Sequence, residues 1–178
     1  MLENSRVILL PLDPNDISHE YVGWFNDPLT FRYLGTKFGQ THASIKAYVE
    51  SIKPPNMICK IFDAALPRRT GYVGNIALSG FDPIHRRMEI GIVIGDVKAR
   101  GKGIGKHACS LLIQYVFDHL NVHKITAGTV DDNKAMDKVF RDLGFSLEGT
   151  LHEHWYTEGE YHDMYRYGLL KDFFMPVK

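Results

Sequence analysis

The chain has 178 residues, 44% hydrophobic and 24% charged, the size and balance expected of one folded, soluble domain (1–178) rather than a disordered or fibrous chain. Its 21 basic and 21 acidic side chains cancel to zero net charge, which excludes the broad cationic face through which nucleic-acid binders neutralise phosphates. Cys59 and Cys109 lie far apart without a CxxC partner, no apolar run reaches membrane-spanning length, and the opening MLENSRVILLPLDPND is unlike a secretory signal. A cytoplasmic protein with no disulfide, no membrane and no nucleic-acid partner is therefore expected.

In chain order, Arg6 to Leu12 reads as a first strand, closed by the turn and cap residues Asp13-Pro14-Asn15-Asp16. Residues 16–34 carry Ile17, Tyr21, Trp24 and Phe25 near helical spacing, but Pro28 disfavours a helical residue before it, so two short helices are expected. Thr41 caps a helix through Ile52, which Pro54-Pro55 ends. Strands follow at Met57 to Phe62, Tyr72 to Ser79 and Arg87 to Gly95. A helix from about Gly103 to Leu120, a strand from Lys124 to Val130 and a helix from about Asn133 to Leu143, stopped by Gly144, come next. Two strands at 146–156 and 160–169 joined by Thr157-Glu158-Gly159 close the chain. This order predicts an α/β (α+β) fold, a mixed sheet with helices on both faces.

The most informative segment is the passage from the apolar strand MEIGIVIG through DVKARGKGIG into a helix whose Cys109, Leu112, Ile113, Val116, Phe117 and Leu120 share one face. Gly101, Gly103 and Gly105 fall at the helix N-terminus. Free backbone N–H groups and the helix dipole attract an anion there, and missing β-carbons let a phosphate approach the main chain. The same glycines would also serve merely to turn a strand into a closely packed helix. The loop lacks the GxxxxGK[ST] of a P-loop, and Lys106 stands where a dinucleotide fingerprint needs its third glycine, so neither ATP nor NAD is indicated.

Arg100-x-x-Gly103-x-Gly105, after a strand and opening a helix, resembles the [RQ]xxGx[GA] acetyl-coenzyme A loop of the GNAT superfamily of N-acetyltransferases. Asn133-Lys134-Ala135 followed by Phe140-Arg141-Asp142-Leu143-Gly144-Phe145 resembles that family's second cofactor segment. Glu148-Gly149 and Tyr161-His162-Asp163-Met164-Tyr165-Arg166-Tyr167, with Trp24-Phe25-Asn26-Asp27-Pro28 at the front, resemble the subfamily of ribosomal-protein N-terminal and spermidine acetyltransferases. The resemblance implies a mainly antiparallel seven-stranded sheet with a central, splayed parallel pair. It implies acetyl-CoA (coenzyme A) as cofactor, its pantetheine arm on the backbone of Ile92, Val93 and Ile94, and its pyrophosphate on Arg100, Gly101, Lys102, Gly103, Ile104 and Gly105. Asn133 would bond the arm from the second strand's side, and Lys102, Lys106 and Lys138 would add charge unless they are simply solvated.

Acetyl transfer to an amine needs a neutral nucleophile, a polarised thioester carbonyl and a proton for the thiolate, and direct attack suffices. The family's usual general acid is a tyrosine four residues before the GF glycine. Here that residue is Phe140, which has no proton to give. Tyr156 is the expected substitute, its alternative being an ordinary hairpin aromatic. Glu89, opening the thioester strand on the same face as Gly91 and Val93, is the expected base, its alternative an ion pair with Arg86 or Arg87. Trp24, Asn26 and Asp27 are candidates to line the acceptor site, or else form a helix break with an Asx cap. His152 and His154 share a face but lack a third ligand, so no metal is expected. Cys109, on the apolar helix face, reads as a structural thiol.

The functional expectation is N-acetylation of a small amine such as an amino sugar, sugar nucleotide or polyamine, with a homodimer as the assembly considered. A protein N-terminal acetyltransferase of ribosomal type and a non-catalytic acyl-CoA-binding module are the alternatives.

Overall fold

The computed structural model describes residues 1–35 and 39–177. Strands Leu2–Glu3 (β1) and Val7–Pro11 (β2) lead into helices His19–Asn26 (α1), Pro28–Phe31 (α2) and His42–Ser51 (α3). Strands Met57–Asp63 (β3), Tyr72–Asp82 (β4) and Arg87–Ile94 (β5) follow, then helix Ile104–His119 (α4), strand Lys124–Val130 (β6), helix Lys134–Asp142 (α5) and the hairpin Ser146–Thr157 (β7) and Glu160–Leu170 (β8). The helix starts have local causes. The Ser18 side chain accepts from Tyr21 N, Thr41 and Ser44 form a reciprocal capping box, and Pro28 begins α2 where its missing N–H is harmless. Gly144, at φ +93°, follows the end of α5 in the left-handed conformation that glycine adopts most cheaply.

All eight strands form one sheet in the order β1-β2-β3-β4-β5-β6-β8-β7, antiparallel everywhere except between β5 and β6. The sheet has one strand more than the seven expected, because Leu2 and Glu3 pair with Leu9 and Ile8. Two residues are too few to show an alternating pattern, so this strand left no signal in the sequence.

Neighbouring residues of β3 separate two cores. Cys59 belongs to the larger one, where α4 buries Ala108, Leu112, Ile113 and Val116 and α5 buries Phe140. Ile58 points the other way, into a smaller core made with Tyr21 of α1 and Ile45 and Val49 of α3. Helices therefore cover both faces, and truncating a fully buried residue such as Leu112 to alanine costs about 2–5 kcal/mol. Among the described residues no helix is long and apolar enough to cross a membrane.

Burial pushes the Cys109 thiol up to about 12 and the Cys59 thiol up to about 11, so neither forms a thiolate near neutrality. Both cysteines are expected to resist a thiol reagent at pH 8 in the native protein and to react fully in denaturant. Rapid native labelling of either would show that its pocket opens.

Candidate active site

The site follows from where β5 stops pairing with β6. The two strands are in register only at Arg87↔Lys124, Met88↔Ile125 and Glu89↔Thr126. Beyond that point β5 stays on β4 as far as Ile94↔Gly74, and β6 stays on β8 as far as Val130↔Met164, so the strands diverge into a V. A groove of about 500 Å3 occupies the V, with Ile92, Val93 and Ile94 on one wall and Gly128 and Thr129 on the other. Arg100, Gly101 and Gly103 to Lys106 line its loop end, and Asn133, Lys138 and Phe140 add α5.

The loop has the shape an anion needs. Gly101 and Gly103 adopt φ +71° and +80°, and Gly103 caps α4, leaving the first amides of a 16-residue helix at the groove. Gly105 lies open to the groove, and a β-carbon there would make only ordinary contact with Ile92 and Ile94 at 3.7 Å. Arg100 is turned away from this role: its Nε donates to Ile94 O at 2.9 Å and its Nη2 to Thr30 Oγ1. The Ile94 carbonyl is therefore already engaged, whereas Ile92 and Val93 face the groove without that bond.

Lys106 and Lys138 both contact Asp142, at 2.9 and 3.2 Å, and these hydrogen bonds hold its carboxyl below the usual range. The two cations thus share one anion, leaving one surplus positive charge at this edge. Lys102 is exposed and lies outside the groove lining. The Asn133 side chain accepts from Met136 N at 3.3 Å, so it caps α5 while lining the groove.

A second cavity, of about 620 Å3, lies on the side of the front helices. Leu34, Gly91, Ile92 and Val93 line both spaces, so the two meet across β5. Glu89 lines this second cavity, and its Oε1 accepts from Arg166 Nη1 at 3.0 Å. The partner is neither Arg86 nor Arg87. Arg166 reaches it over Gly128, where a β-carbon would stand 2.9 Å from Nη1.

Trp24, Asn26 and Asp27 line neither cavity. Trp24 packs its ring on Tyr72, centroids 5.0 Å apart, and against the bare α-carbon of Gly95. Asn26 ties α1 to the following loop, donating to Val22 O and Gln40 O and accepting from Gly39 N. Asp27 accepts from Thr30 Oγ1 at 2.6 Å, which extends the Arg100 contact into the front helices. These residues position the cavity wall, while their neighbours Tyr21 and Phe25 form it.

Tyr156 also lines neither space: it is 64% exposed, its ring tilted against Tyr161 with centroids 4.9 Å apart near the hairpin tip, and the structure does not bring it to the groove. Phe140 does line the groove, packed between Phe145 and Tyr167. Tyr33 is the tyrosine that reaches this groove among the described residues. Glu153 at φ +48° and a register shift between Leu151 and Trp155 break the alternation expected to align His152 with His154. Asp131, Asp132 and His162 bring ligand-capable atoms within 4.8 Å of one another, but Asp132 is held by Arg32 and His162 Nδ1 lies 3.3 Å from Asp131, an ion-pair cluster. Arg166 and Tyr48 carried no local signal: one acts across 77 residues of chain, and the other is one more aromatic on a short helix.

With this geometry in place, comparison decides the family. The sequence profile of the acetyltransferase (GNAT) domain matches residues 6–146. The chain belongs to that family. Spermidine N(1)-acetyltransferase of Escherichia coli (strain K12) is 32% identical over 93 residues, 52% of this chain and 50% of that protein. YdaF of Bacillus subtilis (strain 168), provisionally assigned as a ribosomal N-acetyltransferase, is 35% identical over 98 residues, 55% of this chain and 53% of its own length. The matches to these two relatives span about half their length. A crystal structure of spermidine N-acetyltransferase from Vibrio cholerae in complex with CoA and spermine superposes with a TM-score of 0.84 at 23% identity, covering 96% of this chain and 98% of that one, which shows the shared fold.

Packing at Gly95 gives a direct test. A β-carbon there would fall 1.9 Å from Trp24 Cδ2, so Gly95→Ala must displace the indole from Tyr72. The variant is expected to lose about 1–3 kcal/mol of stability in denaturant unfolding. An unchanged midpoint would mean that Trp24 does not anchor the front helices.

Proposed function

We propose that the chain is an acetyl-CoA-dependent N-acetyltransferase acting by direct attack of a primary amine of a small acceptor. The observation that carries this reading is the meeting of two spaces at Gly91 to Val93, a groove ending in a glycine-rich helix start on one side and a cavity carrying Glu89 on the other. The groove fits the cofactor by its chemistry: open helix amides at Gly103 to Gly105 suit a pyrophosphate, and small residues at Gly128 and Ala135 leave room for an extended arm.

When bound, acetyl-CoA supplies the activated acetyl group as a thioester. This chain's residues do the rest. The edge of β5 beyond Glu89 offers main-chain groups that β6 does not use, which suits them to hold an extended arm and polarise a carbonyl. Glu89 receives the ammonium proton of the acceptor, directly or through water, while Arg166 fixes its carboxylate. Phe140 and the apolar β5 residues exclude water from the reacting end. With phenylalanine at the family's usual donor position, the departing thiolate takes its proton from solvent.

Thiol release from acetyl-CoA in the presence of an amine panel tests the reading. Glu89→Gln is expected to lower kcat/KM by about a hundredfold to ten-thousandfold. Tyr156→Phe, at the exposed hairpin, is expected to stay within about twofold of the parent, inside the range of experimental scatter for residues remote from the chemistry. Gly105→Glu, which places an anion in the groove without a left-handed backbone, is expected to weaken coenzyme A in calorimetry by about tenfold or more while the protein stays folded. Unchanged coenzyme A affinity in that variant would place the cofactor elsewhere.

A further inference from the structure

The acceptor-side cavity, at about 620 Å3, is large enough for a small ligand, and most of its wall is carbon. Phe25, Ile45, Ile58, Ala77 and Ile92 supply the apolar surface. Its uncharged polar groups include Asn75, which is hydrogen-bonded to Tyr72, and Tyr21. Tyr21 is 1% exposed, its hydroxyl enclosed with the rest of the side chain. Burial also pushes this hydroxyl above its ordinary range, so it adds no negative charge.

Charge decides the class of amine. Glu89 is the one carboxylate among the described residues lining the cavity, and it already shares its charge with Arg166. A polyamine brings several ammonium groups, and each one taken from water without a carboxylate partner is heavily penalised. An amino sugar brings a ring of hydroxyls, and those facing Phe25, Ile45, Ile58, Ala77 and Ile92 would find no partner there, Gln40, Tyr48, Asn75 and Ser79 being, with Tyr21, the uncharged polar side chains elsewhere on the wall.

We propose that the acceptor is a primary monoamine with an aromatic or branched aliphatic body, its nitrogen at Glu89 and its body against Phe25, Ile45 and Tyr48. This rests on the acetyltransferase reading above. The ammonium gives one proton to Glu89 and becomes the neutral amine, its attack forms the C–N bond to the acetyl carbon, the nitrogen releases a second proton to solvent as the C–S bond breaks, and the thiolate takes one proton from water. The amide product is uncharged, and with no ammonium left to pair with Glu89 its departure is favoured.

The test is steady-state thiol release by the full chain with acetyl-CoA and phenethylamine, isoamylamine, spermidine, glucosamine or a short peptide with a free N-terminus. Phenethylamine or isoamylamine should exceed spermidine and glucosamine in kcat/KM by about tenfold or more. Tyr48→Glu, which adds a carboxylate at a half-exposed rim position and should leave the fold intact, is expected to narrow the ratio to spermidine. Spermidine, glucosamine or the peptide used as well as the apolar amines would overturn the assignment while leaving acetyl transfer standing. Release with none of the amines, by protein that binds coenzyme A in calorimetry, would overturn both.

Discussion

The three-residue contact between β5 and β6 is the constraint on which the rest depends. A fully paired parallel ladder would satisfy both strand edges and leave no groove, and no contact at all would split the sheet into two unrelated halves. Pairing from Arg87 to Glu89 and then parting gives a continuous sheet with an interior edge. The fork is braced by a charge pair: Arg166 of β8 crosses β6 above Gly128 and meets Glu89 on β5. A β-carbon at 128 would stand 2.9 Å from Arg166 Nη1, so the guanidinium would have to shift, and the glycine leaves room for an ion pair that ties three strands where they separate.

The front helices are fastened to the same region by a different route. Arg100 joins the end of β5 to Thr30, Thr30 joins Asp27, and Trp24 rests on Gly95 a few residues away. The loop that opens α4 and the wall of the second cavity are thereby positioned by shared contacts, so a displacement at one is felt at the other. This makes the Trp-Phe-Asn-Asp-Pro segment an anchor, and Phe25 is its member that faces the cavity.

Features encoded by local chemistry were legible in the sequence. Gly103 and Gly105 at a helix start, a helix beginning near Asn133 and the apolar face of α4 follow from spacing and backbone preference, and the structure places them as that spacing requires. Features encoded by long-range pairing were not. The partner of Glu89 comes from a strand 77 residues away and two positions along the sheet, and no local pattern ranks it above the adjacent Arg86 and Arg87. Tyr156 was a reasonable candidate by residue type, but its placement depends on how far the β7–β8 hairpin extends beyond the groove. The small β1 strand escaped notice because two residues hold no periodicity.

The hairpin has a further consequence, for the order in which the protein assembles. Trp155 Nε1 donates to Arg32 O at 2.9 Å across 123 residues, and Arg32 also binds Asp132, 100 residues on, and Glu158 at 3.3 Å. Contacts this distant in sequence close only after large loops are restricted, so they form late in folding and contribute little to its nucleus. During synthesis the residues flanking Arg32 must wait for the last strands to leave the ribosome before their backbone is secured. The β5 edge and the start of α4 are translated before those last strands, and β5 pairs along its length with β4, its immediate predecessor in the chain. The half of the site that holds the glycine loop is thus set before the half that completes the front wall, and partial opening of the finished protein should run in the reverse order.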